Sequence, residues 1–292
     1  MRHIDAHQHY WSVAHHDYGW LSPALAPIYR DFTPADLHPW LDAAGIEATV
    51  LVQAAPSAAE TTRLVALAAA PGSRVAGVVG WCDLAAADAA AAVARRAAEP
   101  LIVGLRPMLQ DLPDPRWILQ DAVEPALQAM VQHGLCFDAL VRTEQIDAVR
   151  ELALRHPGLR VVLDHAAKPA IAGRAFQPWA RHIARLARDT AVCCKLSGLV
   201  TEAGPGWTVA DLQPYVEHLL AEFGPQRLLW GSDWPVLRLA GRYADWVQAS
   251  DRLLQGLDDA ARAAVMGANA IRFYGLDGRA GAAVPGVGEP AA

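Results

Sequence analysis

Apolar positions along the chain gather into eight short runs separated by longer, mixed stretches. The runs are RHIDAHQH (2–9), ATVLVQA (48–54), VAGVVGW (75–81), LIVGLR (101–106), LCFDALV (135–141), LRVVLDH (159–165), AVCCKLS (191–197) and RLLWGSD (227–233). Most are near-continuous rather than alternating, which suits parallel strands covered by helices. The stretches between them carry helix punctuation. Thr33 precedes Pro34 at one helix start and Gly45 closes that helix, the expected proline-first, glycine-last asymmetry. Ser57 caps the next helix, which stops before Pro71-Gly72, and 84–99 is alanine-rich and helical by propensity. Over 143–156, Ile146, Val149, Leu152 and Ala153 share one helical face, and further helices are predicted over 175–188, 209–223, 243–255 and 258–270. Strands alternating with helices predict an α/β protein: a single-domain (β/α)8 TIM-type barrel over residues 1–276, with 277–292, rich in Gly, Ala, Pro and Val, as a disordered tail. An open doubly wound sheet competes with this arrangement, but no glycine-rich dinucleotide loop follows any strand.

Composition narrows the function. An apolar fraction of 53% with 19% charged residues is that of a globular chain with an ample core. A net charge of −6 without a basic run gives no reason to expect nucleic acid as a partner. No run of about 18 apolar residues is present to span a membrane, and the chain opens directly in a strand-like run where a secretory signal would stand. The cysteines, Cys82, Cys136, Cys193 and Cys194, form no C-x-x-C pair and read as buried reduced thiols. A cytoplasmic location is expected, and monomer and oligomer both stay open.

In a β/α barrel the chemistry sits at the carboxyl ends of the strands. The first strand ends in His7-Gln8-His9, whose alternation points His7 and His9 the same way, with His3 and Asp5, and turns Ile4 and Ala6 outward toward the helices. Two imidazoles about 7 Å apart along a strand can bite one metal ion if the strand bends. The sixth run ends in Asp164-His165 and the eighth in Ser232-Asp233. His7, His9 and Asp233 would supply the three protein ligands of a catalytic zinc, with a place left for water, while His165 completes the set or acts beside it as acid or base. Arg106, Lys168, Gln53 and Trp234 are candidates to hold a substrate, although Arg106 reads equally as a buried salt bridge and Trp234, like Trp81, as core packing. Lys195 is expected in a core ion pair with Asp5 or a neighbouring carboxylate. Trp117, Trp179 and Trp246 are expected to pack helices. His15, His16, His38, His133, His156, His182 and His218 read as surface residues. The irregular stretch from Tyr10 to Asp31 brings Trp11, Tyr18, Trp20 and Tyr29, which cover a pocket or pack the barrel mouth.

At IDAHQHYW, VGLRPMLQD, VLDHAAKP, KLSGLVTEA and FGPQRLLWGSDWPV, which occur in this order up to about residue 276, the chain resembles the amidohydrolase superfamily. The likeness is to its amidohydrolase-related branch, which includes sugar-lactone hydrolases of the L-fuconolactonase kind. That resemblance implies a barrel that activates water against a carbonyl, with metal ligands at His7, His9 and Asp233 and the sixth-strand histidine at His165. Two positions depart from the pattern. No bridging lysine or carboxylate ends LIVGLR, and LCFDALV has no histidine, so two metals lack their ligands. The expectation is hydrolysis of a sugar lactone, with Asp233 taking the proton from water and one zinc, or no metal at all, assisting. Without metal, His7 and His9 would donate hydrogen bonds to the oxyanion. His165 would stabilise the tetrahedral intermediate or protonate the leaving oxygen. A metal-dependent decarboxylase or other hydrolase of the same superfamily is the alternative, and a non-enzymatic binding barrel stands behind both.

Overall fold

The computed structural model describes residues 2–15 and 17–277. Every apolar run contains a strand: β1 Ile4–Gln8, β2 Ala48–Val52, β3 Val75–Gly80, β4 Ile102–Leu105, β5 Cys136–Ala139, β6 Val161–Leu163, β7 Cys193–Leu196 and β8 Leu228–Trp230. They pair in chain order, all parallel. The ring closes just past the last strand, where the Asp233 amide donates to the His7 carbonyl at 2.8 Å and the His9 amide to Trp234 at 2.7 Å.

Local chemistry accounts for the covering helices. Helix α1 (Pro34–Ala44) starts in a capping box of Thr33 and Asp36 and ends at Gly45. Helix α2 (Ala58–Ala69) is capped by the Ser57 hydroxyl, which accepts from the Glu60 amide at 3.1 Å. Helix α3 (Ala89–Ala97) is shorter than its alanine-rich sequence suggests. Helix α4 (Glu124–His133) was not expected; only Pro125 near its start and Gly134 at its end mark it. Helices α5 (Ile146–Arg155), α6 (Trp179–Asp189), α7 (Leu199–Ala203), α8 (Val209–Phe223) and α9 (Tyr243–Leu253) follow, of which the short α7 was not foreseen. The helix expected over 258–270 is divided into α10 (Asp259–Ala263), a π turn at Ala264–Ala268 and α11 (Asn269–Tyr274). The cause lies at Gly267, where a Cβ would come within 2.0 Å of the Arg2 carbonyl oxygen. The start of the chain is pressed against this turn, and a π bulge lets the helix accommodate it.

Two apolar clusters result. The larger fills the layer between sheet and helices. The smaller joins Val50, Val79, Cys136, Val162 and Leu229 to the C-terminal Phe273, Tyr274 and Leu276. Cys136, Val162 and Leu229 alternate onto the same strand face as Asp138, Asp164 and Gly231, so this cluster is the lower filling of the barrel. Ile4 and Ala6 belong to it, which corrects the expectation that they face the helices. Asp5, expected beside His7, instead accepts the Ser232 amide at 2.8 Å and the Tyr243 hydroxyl at 3.0 Å. The pairing of β1 with β2 shifts register between Asp5 and Gln8, and that irregularity breaks the simple alternation. His16 and residues 278–292, nearly all of the expected tail, lie outside the described residues. Among the described residues no helix is long and apolar enough to cross a membrane.

Candidate active site

The β8–β1 closure sets three candidate ligands side by side, because the two backbone hydrogen bonds of the seam flank them. His7 Nε2 and His9 Nε2 are 3.2 Å apart, His9 Nε2 is 3.3 Å from Asp233 Oδ1, and His7 Nε2 is 3.7 Å from that oxygen. The bend that an H-x-H bite requires is present: the two ring centroids are 4.9 Å apart. His165 enters from the turn after β6, with Nε2 3.8 Å from Asp233 Oδ1 and Nδ1 2.9 Å from the Ser197 hydroxyl. That turn is unusual. His165, Ala166, Ala167 and Lys168 all have φ between 50° and 57°, and Asp233 has φ 58°. Left-handed backbone at non-glycine residues costs free energy, about 1–2 kcal/mol each, and persists where the surroundings dictate it. Here Gly198 allows the turn to pack, since a Cβ at that position would meet the His165 ring at 2.7 Å.

Below the histidines lies a buried ionic network. Lys195 Nζ donates to Asp138 Oδ2 at 2.5 Å, contacts His7 Nδ1 at 3.0 Å and forms an ion pair with Asp164 Oδ1 at 2.9 Å. Lys195 is therefore paired with neighbouring carboxylates and not with Asp5. Tyr274 donates its hydroxyl to the same Asp138 oxygen at 2.7 Å from below. Arg106 holds Asp164 Oδ2 at 3.1 Å and reaches the Gln53 carbonyl, and Gln53 Nε2 returns a hydrogen bond to the Arg106 carbonyl at 2.7 Å. Burial raises the Asp138 carboxyl, although Lys195 opposes it. Burial acts on Asp164 in the same sense, but Lys195 and His7 outweigh it and hold that carboxyl well below the usual range.

These contacts set protons on the imidazoles. His9 Nδ1 faces the Val52 carbonyl at 2.7 Å; a carbonyl only accepts, so Nδ1 carries the hydrogen and Nε2 keeps its lone pair. His7 is contested: Lys195 Nζ at 3.0 Å and Asp164 Oδ1 at 3.4 Å both face its Nδ1, while Arg106 Nη1 at 3.4 Å faces its Nε2, and one neutral tautomer cannot satisfy all three. Burial, then Lys195, hold His7 well below the ordinary histidine value, and burial lowers His9 as well. Burial also takes His165 down to about 4. For Asp233 burial pulls upward, but His165, His9 and His7 overcome it and keep the group a carboxylate. The expectation that both His7 and His9 donate to an oxyanion is corrected: neutral His9 offers only an acceptor at Nε2.

His9 Nε2 and Asp233 Oδ1 thus place two lone pairs 3.3 Å apart, an arrangement that a cation between them stabilises. The edge of a zinc tetrahedron with ligands at 2.0–2.1 Å is about 3.3 Å, and the donor atoms of His7, His9 and Asp233 all lie within 4.8 Å of one another. The set fits one ion, held by neutral His7 in the tautomer that keeps the Nε2 lone pair and turns its Nδ1–H toward Asp164 Oδ1, 3.4 Å away.

A cavity of about 200 Å³ opens above this floor, and His9, Arg106, His165, Lys168 and Asp233 reach it. Its other walls include Trp20, Leu25, Val236 and Leu239 on one side and Met108, Gln110 and Thr201 elsewhere. Three larger cavities, of about 420, 520 and 670 Å³, touch none of the four candidate catalytic residues; size alone would select the wrong place. Of the residues expected to hold substrate, Arg106 and Lys168 line the cavity. Gln53 is fully buried and engaged with Arg106, and Trp234 is packed edge-on against Phe32 and Tyr10. Neither of these two is among the lining residues. Sequence reasoning missed Gln110 and Thr201, for which no motif stands, although both sit in stretches that carry the resemblance.

The profile of the amidohydrolase family matches residues 4–276. The chain belongs to the amidohydrolase family. Within it, the chain is 48% identical over 281 residues to the L-fucono-1,5-lactonase of Burkholderia ambifaria, covering 94% of this chain and 96% of that one. It is 39% identical to the enzyme of the same name from Burkholderia multivorans, over 94% and 96% of the two chains. A solved amidohydrolase from Burkholderia multivorans with bound zinc superimposes with a TM-score of 0.87 at 36% identity, covering 94% of this chain and 99% of that one. In this member of the family, Arg106 stands just past the end of β4 and Asp138 on β5, both engaged in the ionic network, so neither is a free ligand for a second ion.

Proposed function

We propose that this protein hydrolyses a sugar lactone to the aldonic acid, with the chemistry centred on Asp233. The observation that carries the reading is the convergence of Asp233, His9 and His165 on the floor of a cavity with room for one small ring; the two lactonase relatives support the same chemistry. Asp233, held ionised among the histidines, takes a proton from water as the water oxygen bonds to the lactone carbonyl carbon. The electron pair of the C=O bond moves to the carbonyl oxygen. His165 is neutral, and with Ser197 donating to its Nδ1 it presents Nε2–H to that oxyanion. Collapse re-forms the C=O bond and breaks the ring C–O bond, and Asp233 returns its proton to the departing ring oxygen. Lys168, held at 3.5 Å by Glu202, lines the cavity on the β6 side, where it orients substrate hydroxyls.

His7, His9 and Asp233 would hold one divalent ion, which we infer to be zinc. When bound, it supplies Lewis-acid polarisation of the carbonyl and acidifies water. Metal-dependent decarboxylation is less well supported. Arg106, the best group for a substrate carboxylate, already spends its guanidinium on Asp164 and Gln53. The free thiols of the described cysteines support a reducing, cytoplasmic setting.

The test is a pH-indicator assay on a panel of L-fucono-, L-rhamnono-, D-arabinono-, L-galactono- and D-galactono-lactones, with and without chelator, alongside metal content by atomic spectroscopy. Acid release from a stereochemical subset is expected, with at most one zinc per chain. Silence across the panel would sink the lactonase reading.

A further inference from the structure

Three buried polar atoms of residues that line the cavity have no hydrogen-bond partner among the described residues: Gln110 Oε1, Thr201 Oγ1 and Arg106 Nε, the last in a guanidinium whose two terminal nitrogens are both bonded. The other polar groups on this wall are engaged. Arg106 is tied to Asp164, Lys168 to Glu202, and His165 to Ser197. Gln110 is itself half committed, because its Nε2 donates to Asp111 at 3.1 Å, which fixes the amide and turns Oε1 away as a bare acceptor. Thr201 lies in α7, where a threonine hydroxyl ordinarily donates back to a carbonyl one turn earlier; no such bond is made here. A buried polar atom without a partner costs about 1–3 kcal/mol, and that cost disappears if a ligand supplies the partner.

The placement of the two oxygens matters as much as their vacancy. Gln110 follows β4 and Thr201 follows β7, three strands apart in an eight-strand ring, so the two residues line the cavity from well-separated directions across its mouth, with the two oxygens just beneath its surface. Between them on the remaining side, Trp20, Leu25, Val236 and Leu239 present hydrocarbon, and Trp20 has already given its indole N–H to the Ala54 carbonyl at 2.7 Å. A ring seated over Asp233 therefore meets hydroxyl partners in only some directions.

We propose that Gln110 and Thr201 are the specificity-determining residues that read two ring hydroxyls of the lactone, Gln110 as acceptor and Thr201 as donor or acceptor. This rests on the lactonase reading above. The ligand class it defines is a polyhydroxylated aldonolactone with hydroxyls toward the loops after β4 and β7 and its least polar edge toward Trp20 and Leu239. A site built to hydrogen-bond a hydroxyl rejects the analogue that lacks it, because the protein atom is then stranded again.

The experiment compares wild-type protein with Gln110→Leu, Thr201→Val and Thr201→Ser on the best aldonolactone of the panel and on its mono-deoxy analogues, reading kcat and KM separately with thermal unfolding as a control. Gln110→Leu and Thr201→Val are each expected to lose about tenfold to a hundredfold in kcat/KM on the parent lactone. Each should lose less than about threefold on one particular deoxy analogue, a different one for each variant. Thr201→Ser should recover most of the loss, and unfolding midpoints should stay put. Uniform losses on parent and all deoxy analogues, or no loss at all, overturn the proposal while leaving lactone hydrolysis standing. Should a variant not fold, the wild type alone decides: equal kcat/KM on the parent and every deoxy analogue overturns hydroxyl readout. No turnover of any lactone by the wild type removes both this proposal and the reading beneath it.

Discussion

The two sides of the barrel mouth differ in what their strands deliver. On the β8–β1 side, backbone hydrogen bonds across the seam hold His7, His9 and Asp233 in a cluster of donor atoms. On the β4–β5 side, Arg106 and Asp138 are consumed by partners inside the barrel, Asp164 and Lys195. The same fold therefore provides one place that can bind and one that supports it. The two sides are separated by which side chains are already paired, and that is a more physical statement than the absence of a motif residue.

Asp233→Asn strikes at the binding side, and the largest effect is expected there. Its kcat/KM on an aldonolactone should fall by about 10²–10⁴-fold, because proton transfer is lost while the fold is kept. Activity within threefold of wild type would dissolve the contrast between the two sides. Lys195→Met attacks the supporting side. It leaves Asp138 buried without its cation and Asp164 with Arg106 alone, and about 3–5 kcal/mol of stability should be lost in denaturant titration. A loss below about 1 kcal/mol would mean that the network contributes little to holding the cluster.

Glu60 sharpens the comparison from outside both sides, as a buried carboxyl with no cation at hydrogen-bond distance among the described residues. Burial raises it from 4.5 to about 7, against the amides of Ala54 and Ala55, which donate to it. Its folded pKa lies above its unfolded one, so its contribution to stability is complete below about 4.5 and is lost as pH rises through 7. The slope amounts to about 3 kcal/mol at most, and Glu60→Gln should flatten it when denaturation free energies at pH 5 and pH 8 are compared. An unchanged slope refutes the assignment. Tyr274→Phe should have the smallest effect, about 1–2 kcal/mol for one hydrogen bond to Asp138, with kcat within a few-fold of wild type; a large loss of kcat would show that the barrel floor tunes the site directly.

The eight strands were legible because both faces of a parallel strand are covered, which writes it as an unbroken apolar run. His7, His9, His165 and Asp233 were legible because each terminates such a run. Helix α4 was not, since its ten residues are mixed in polarity and follow a long irregular stretch. The inward turn of Ile4 and Ala6 was hidden by a register shift that leaves no trace in composition. Gln53 and Trp234 show the limit from another side. Position at a strand end brings a polar or aromatic group to the mouth, but only the neighbours decide whether it faces the cavity or is taken up in packing. Of the network under His7, the ion pairs of Lys195 and Arg106 were expected, but their partners were out of reach, as with Asp138 and Tyr274, which are 136 residues apart.

That last separation bears on how the molecule is made. Synthesis delivers the chain from its N-terminus, so His7, Asp138, Lys195 and Asp233 all leave the ribosome before Tyr274. Until it arrives, the barrel lacks the hydroxyl and the ring that close the floor beneath Lys195, whose ammonium lies 5.6 Å from the Tyr274 ring centroid. The wiring of the candidate mouth is thus finished by one of the last described elements to be translated. A chain ending between residues 233 and 274 would carry every proposed catalytic side chain and still hold an unfinished site.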